Sequence, residues 1–184
     1  MISILKKIRG YYDHYINDKK EYNLFVKGKT LKNNKNYFSV NPMPNDSELR
    51  YYYKNIYKKN SNFRNQIIDE RALIHFNIIE KMNISFSNFL NIGSNTGGVS
   101  HLFRARGKTI YNFDFFKIKR FYDQNWNFVS NLDDLNNKID FIYMSHSLEH
   151  FININELFNK LNKLIHENTY IFIEVPNGEH VKAG

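Results

Sequence analysis

Cysteine is absent from the 184-residue chain, which excludes a disulfide framework and any thiolate metal site. The absence fits a reducing cytosol, and the cytoplasm is the expected compartment. No apolar run approaches the roughly 18 residues that a membrane span needs. The first 20 residues are basic and partly apolar, but they lack a continuous apolar core and a small-residue cleavage site, so they do not read as a signal peptide. Acidic residues are outnumbered, and the formal net charge is +8. Such a balance can serve nucleic acid, a membrane surface or an acidic substrate. The chain is also rich in Asn, Lys, Ile, Tyr and Phe, as AT-rich codons would produce, and no compact Arg/Lys run is present. Nucleic acid is therefore not expected as a partner. What remains is 42% hydrophobic and 16% aromatic residues, enough for the core of one domain.

Glycine is scarce as well, at eight residues, yet three of them fall in Gly93-Ser94-Asn95-Thr96-Gly97-Gly98. An apolar run, Phe86 to Ile92, leads into this turn. A short helical stretch to Arg106 follows, with a stop at Gly107, and a second apolar run, Thr109 to Phe113, ends on Asp114 and Phe115. The pattern predicts strand, tight turn, helix, strand, acid. Such a unit holds nucleotide-like ligands at the carboxyl ends of parallel strands, with glycines giving the backbone close approach. Asp114 lies 21 residues after Gly93, placed to accept hydrogen bonds from a ribose diol. The spacing G-x-x-x-G-G fits the pyrophosphate fingerprint G-x-G-x-x-G poorly.

The stretch resembles the first motif of class I S-adenosylmethionine-dependent methyltransferases, with Asn91, Gly93, Asn95 and Gly97 at the motif positions. Asn91 replaces the usual acid and Asn95 the middle glycine; Asn tolerates positive φ, so the turn can survive. Two further blocks carry the resemblance. VNPMPNDSELRYYYKNIYKKN is similar to a segment that precedes some bacterial sugar and small-molecule methyltransferase domains. Ile139-Asp140-Phe141-Ile142-Tyr143-Met144-Ser145-His146-Ser147-Leu148-Glu149-His150, with I-E-V-P-N at 173–177, is similar to their fourth and fifth strands. The resemblance spans about residues 41–177. It implies that Gly93, Ser94, Asn95 and Gly97 hold the methionine end of the cofactor, with Asn91 near its amino group. It also implies that Asp114 and Phe115 lie at the ribose, Leu132 against the adenine face with Asn131 or Asp133 near its amino edge, and Ser145 and His146 near the transferable methyl. His146 is the expected base, with His150 and Glu149 next.

Elsewhere the chain reads more plainly. Residues 1–20 form an amphipathic helix that packs on its own domain. Tyr22 to Val26 and Tyr37 to Val40 read as strands around the polar turn KGKTLKNNKN. Ser47 is the expected cap of a following helix. Asn60 to Met82 is a helix with Phe63, Ile67, Ile68, Ala72, Leu73, Phe76, Ile79 and Met82 on one face. Residues 116–127 are basic and aromatic and flank a short strand, Asn127 to Ser130. Asn155 to His166 is an amphipathic helix, and Thr169 to Val175 reads as a central buried strand. His146, Glu149 and His150 do not have the H-E-x-x-H spacing, and no metal is expected.

The expected fold is therefore α/β, a Rossmann-like three-layer sandwich with a mainly parallel sheet whose carboxyl-terminal strands are missing. Residues 1–60 are expected to form a metal-free helical and hairpin extension, and 61–184 a shortened core. A homodimer is the expected cover for the sheet edge so exposed. The expected activity is methyl transfer from S-adenosyl-L-methionine to a small molecule, a sugar, nucleotide-sugar or surface-polysaccharide precursor. A non-catalytic cofactor- or partner-binding module and an NAD-dependent oxidoreductase stay open as alternatives.

Overall fold

The computed structural model describes residues 30–33, 38–42, 44–52, 67–115 and 125–176. The expected amino-terminal helix, the strand at 22–26 and the basic segment 116–124 lie outside these. Contacts divide the chain into two compact units, residues 1–63 with 176–184, and residues 64–175.

In the first unit, β1 (Thr30–Asn33) pairs antiparallel with β2 (Phe38–Asn41), from Thr30 opposite Asn41 to Asn33 opposite Phe38. Thus a strand occupies residues expected to be turn: the polar run is long enough to pair before it reverses. Helix α1 (Asp46–Tyr51) is capped by Asn45, not Ser47. Asn45 Oδ1 accepts the Glu48 N–H at 3.0 Å, and Glu48 Oε2 accepts the Asn45 N–H at 2.8 Å. This reciprocal capping box satisfies two otherwise orphaned donors.

The second unit is a five-stranded, wholly parallel sheet in the order β5-β4-β3-β6-β7, a Rossmann-like α/β fold. The strands are β3 (Asn88–Ile92), β4 (Thr109–Phe113), β5 (Asn127–Val129), β6 (Phe141–Ser145) and β7 (Tyr170–Glu174). The chain starts at the centre, winds outward to β5, then returns past β3 to β6 and β7. That reversal opens a crevice at the carboxyl ends of β3 and β6.

Alternation in the two central strands feeds two cores. Phe89, Phe141 and Tyr143 face helices α2 (Glu70–Lys81) and α3 (Gly98–Ala105), meeting Ala72, Ile79, Val99 and Phe103. Leu90, Ile92, Ile142 and Met144 face helix α4 (Ile154–Leu164), meeting Leu157, Leu161 and Leu164. Helix α2 begins at Glu70, where Asp69 caps it by accepting the Ala72 N–H at 2.9 Å; residues 60–66 of the expected helix lie outside the described residues. Ile67 and Ile68 precede the helix. Strand β7 is an edge strand, not a central one: Ile171, Ile173 and Val175 are exposed, and among the described residues no strand pairs with its outer side. An unbroken apolar run does not reveal whether both faces are covered.

At the amino ends of the strands, Asp140 ties the layers together. Its Oδ2 accepts the Ser87 and Asn88 N–H groups at 2.8 Å each, and His166 Nε2 lies 2.9 Å from Oδ1. Burial pushes its pKa up, but these hydrogen bonds and the His166 charge outweigh it and leave the carboxyl below its ordinary value. No helix among the described residues is long and apolar enough to cross a membrane.

Candidate active site

The sheet register builds the site. Val129, Phe113, Ile92, Met144 and Ile173 stand side by side across the five strands. One residue further on, the row reads Ser130, Asp114, Gly93, Ser145 and Glu174. An apolar row gives way to small and polar residues along the whole carboxyl edge.

Gly93 begins the turn at φ +75°, and its N–H donates to the Phe113 carbonyl at 2.8 Å. Asn95 has φ +45° and Gly97 φ +74°, so three positions of the turn occupy the left-handed region. Asn is among the few residues with a side chain that do so readily. A Cβ on Gly93 would stand 2.4 Å from Ser147 Cβ. The space this glycine vacates is therefore filled by Ser147, from the turn after β6, and not left for a ligand. Beyond Gly97, the Gly98 backbone passes Ala72 and Ile67, where a Cβ would meet both at 2.9 Å.

Asp114 joins this turn directly: the Asn95 N–H donates to its Oδ2 at 2.8 Å. The acid at the end of β4 and the turn at the end of β3 thus form one unit. Phe115 is exposed on one side; its ring lies 5.7 Å from Phe151 and 6.1 Å from Phe113, an aromatic wall beside the acid.

Two of the residues chosen for the cofactor point elsewhere. Asn91 is buried, and its amide donates to Ser100 Oγ at 2.8 Å; Ser100 in turn donates to Asn112 Oδ1 at 2.6 Å. The Asn91 side chain is thus committed to an interior chain of hydrogen bonds between β3, α3 and β4. Leu132 is 3% exposed and packs into the α4-side core with Leu135 and Ile139. Asn131 caps the 3-10 turn that carries Leu132, accepting the Asp133 N–H at 3.2 Å, and is exposed. Ser94 is buried beneath the turn; its N–H donates to the Phe113 carbonyl.

On the other side of the crevice, His146 sits at φ +49°, its N–H donating to the Glu174 carbonyl at 2.9 Å. Its ring is held between two carboxylates, with Nε2 3.5 Å from Glu174 and Nδ1 3.8 Å from Glu149. Ser145 Oγ donates to Glu174 Oε2 at 2.5 Å. The two acids differ. Burial raises the pKa of Glu149. Burial pushes Glu174 up too, but the Ser145 hydroxyl and the charges of His75, Arg71 and His146 reverse this and leave it below the usual range. His150 is half-exposed, 3.9 Å from Glu149, and its surroundings disfavour the charged ring.

Sequence reading brought Ser145, His146 and Glu149 together but missed Glu174 and His75. The signal for Glu174 was a single charge at the tip of the apolar strand YIFIE. His75 was hidden on the apolar face of α2, between Ala72 and Ile79. Among the described residues no group of acidic or histidine side chains has the arrangement of a metal site.

This strand order, with a glycine turn, an acid and a histidine at adjoining strand tips, defines a Rossmann-like α/β domain. The profile of the family described as "Methyltransferase domain" matches residues 36–183, and the chain belongs to that family. Comparison with curated proteins gave no match. Among solved structures, the plantazolicin methyltransferase BpumL, in complex with a pentazolic desmethylPZN analog and SAH, shares the fold at TM-score 0.55 and 11% identity, over 73% of this chain and 59% of that one. A SAM-dependent methyltransferase from Archaeoglobus fulgidus aligns at TM-score 0.48 and 23% identity, over 68% and 59% of the two chains. An S-adenosylmethionine-dependent methyltransferase from Clostridium acetobutylicum ATCC 824 aligns at TM-score 0.47 and 19% identity, over 67% and 57%. The chain spans less than two thirds of each of these proteins.

Proposed function

We propose that the protein transfers a methyl group from S-adenosyl-L-methionine to a small-molecule acceptor. The observation that carries this reading is the hydrogen bond from the Asn95 N–H to Asp114, which fixes an acid beside the left-handed turn of the neighbouring strand. The donor set suits an adenosyl amino acid. Asp114 is the acceptor for the ribose hydroxyls, and Phe115 and Phe151 are apolar walls for the base, with the Asn131 amide near its polar edge. The turn at 93–97 offers backbone groups to the amino-acid end. Asn91 and Leu132 serve beneath the site, as supports for the turn and the adenine side.

When bound, the cofactor supplies an electrophilic methyl group. The chain's own part is to place the acceptor, keep water out and take up its proton. Orientation of this kind supplies much of the rate. With a hydroxyl acceptor, His146 would take up the proton that the acceptor oxygen gives up as it is methylated. Glu174 and Glu149 flank the ring and balance the charge it then carries. His150 stands one turn further out, at the rim. The resemblance to bacterial sugar methyltransferases favours a sugar or surface-polysaccharide precursor as the acceptor.

Calorimetry with S-adenosylhomocysteine tests the cofactor, and a panel of sugars and nucleotide-sugars with labelled S-adenosylmethionine tests the transfer. His146→Ala should lower turnover about 10²- to 10⁴-fold, the usual worth of a general base, with cofactor affinity kept. Binding of NADH without binding of S-adenosylhomocysteine would refute the reading. Replacement of the family's motif acid by Asn91 favours a second one, a cofactor-binding module without turnover, for which tight binding with no transfer to any acceptor would be the result.

A further inference from the structure

Behind Glu174 lies a buried histidine that the proposed reaction does not use. His75 is 5% exposed, and both of its ring nitrogens are engaged: Nδ1 lies 2.7 Å from the Tyr143 hydroxyl, and Nε2 lies 3.4 Å from Glu174 Oε1. The ring lies against two aromatics, 5.0 Å from Phe172 and 5.8 Å from Tyr143, which stack on each other at 5.4 Å.

Of the two neutral tautomers, the one with the proton on Nε2 suits the carboxylate beside it. A bare Nε2 would set its lone pair against a carboxylate, so Nε2 carries the proton and donates toward Glu174. Nδ1 is then the acceptor side of its contact with the Tyr143 hydroxyl, which burial keeps protonated, its pKa pushed up to about 12, and which also hydrogen-bonds Ser145. Glu174 uses its other oxygen toward the crevice, for Ser145 and His146. A glutamate at the tip of an edge strand otherwise has much rotamer freedom to lose. Here α2 holds one oxygen while β6 uses the other.

We propose that His75 is a positioning residue of the strand-tip site: from α2 it anchors Glu174, and through Glu174 it sets where Ser145 and His146 stand. Their part in handling the acceptor rests on the methyl-transfer reading; the anchor itself does not. The charged and titratable groups facing Glu174 are Arg71 and His75 from α2, Tyr143 and His146 from β6 and its tip, and Glu149 from the turn beyond.

The test is NMR on the full chain. With the glutamate carboxyls labelled with carbon-13, and the Glu174 signal assigned by its loss in Glu174→Gln, Glu174 should titrate below an ordinary glutamate in the wild type. In His75→Phe its midpoint should rise, because the carboxylate loses the Nε2–H donor that favours its charged form. His75→Gln, which keeps an N–H donor but no charge, should fall between the two. It carries the test if the Phe variant does not fold. At pH 7.5, imidazole nitrogen shifts should show His75 as the Nε2–H tautomer. A Glu174 midpoint unmoved in both variants, or His75 found as the Nδ1–H tautomer, would overturn the proposal. S-adenosylhomocysteine calorimetry on the wild type keeps the two questions apart: if nothing binds, the cofactor reading falls while the NMR readouts still decide this one.

Discussion

Gly93→Ala tests the joint between the two strand tips. Gly93 has φ +75°, where a side chain costs roughly 1–2 kcal/mol. The new Cβ would also lie 2.4 Å from Ser147 Cβ, which cannot persist. Relieving it requires the turns after β3 and β6 to separate, an overpacking cost of about 1–3 kcal/mol. Together these predict a loss of about 2–5 kcal/mol. In urea, with a slope of about 2 kcal/mol/M, the unfolding midpoint should fall by roughly 1–2.5 M. A double-mutant cycle separates the two causes. Ser147→Gly removes the atom struck, so Gly93→Ala in that background should keep only the backbone cost, with a coupling of about 1–3 kcal/mol. Ser147 Oγ is buried without a partner among the described residues, so Ser147→Gly alone also removes an orphan hydroxyl; the cycle subtracts that contribution. A Gly93→Ala protein as stable as the wild type, or strictly additive costs, would refute the reasoning.

Three further outcomes follow from single contacts. Asp114→Asn should weaken S-adenosylhomocysteine binding about 10- to 100-fold by calorimetry, the worth of a charge-assisted hydrogen bond; unchanged affinity would remove Asp114 from the ribose. Asn91→Asp, although it restores the family's motif acid, should destabilise by about 1–3 kcal/mol at neutral pH. Ser100 spends its one proton on Asn112, so position 91 must donate, and a more stable variant in urea would show otherwise. Asp140 has a depressed folded pKa, so its contribution is complete above the ordinary aspartate value of 3.8 and is lost as pH falls through the lower folded value. Asp140→Ala should therefore cost about 1–3 kcal/mol at pH 7 and progressively less in acid, read from urea midpoints against pH.

How much of this the sequence discloses depends on the range of the interaction. The unit from β3 to β4 is legible because its punctuation is local: Gly93 and Gly107 both take positive φ where the strand and the helix end. Asp114, Ser145 and His146 are legible because a parallel sheet delivers the residues after its strands to one edge. Strand β7 is misjudged because YIFIE records what could be buried, while the sheet order leaves one side without a paired strand among the described residues. Asn45 displaces Ser47 as a cap because the capping box needs Glu48 three residues on, and only Asn45 has it. The contact between His75 and Tyr143 spans 68 residues and exists only because β6 lies beside β3 beneath α2. No local period announces it.

Asn91 shows why a motif position cannot be judged alone. In isolation it is a lost carboxylate. In the fold it is the first donor of a chain that runs through Ser100 to Asn112, joining β3, α3 and β4 just below the turn. An ionised acid there would have to accept from Ser100, and Asn112 Oδ1 would lose its donor. Asn91, Ser100 and Asn112 are thus one choice made at three positions. The same holds one row higher, where Gly93 is small because Ser147 fills its space and Asn95 takes positive φ with its N–H on Asp114. The departures from the motif are matched by partners on neighbouring elements. A turn so supported should keep its shape before any ligand arrives, and amide hydrogen exchange on the ligand-free protein, with Asn95 protected well beyond an exposed loop, is the expected consequence.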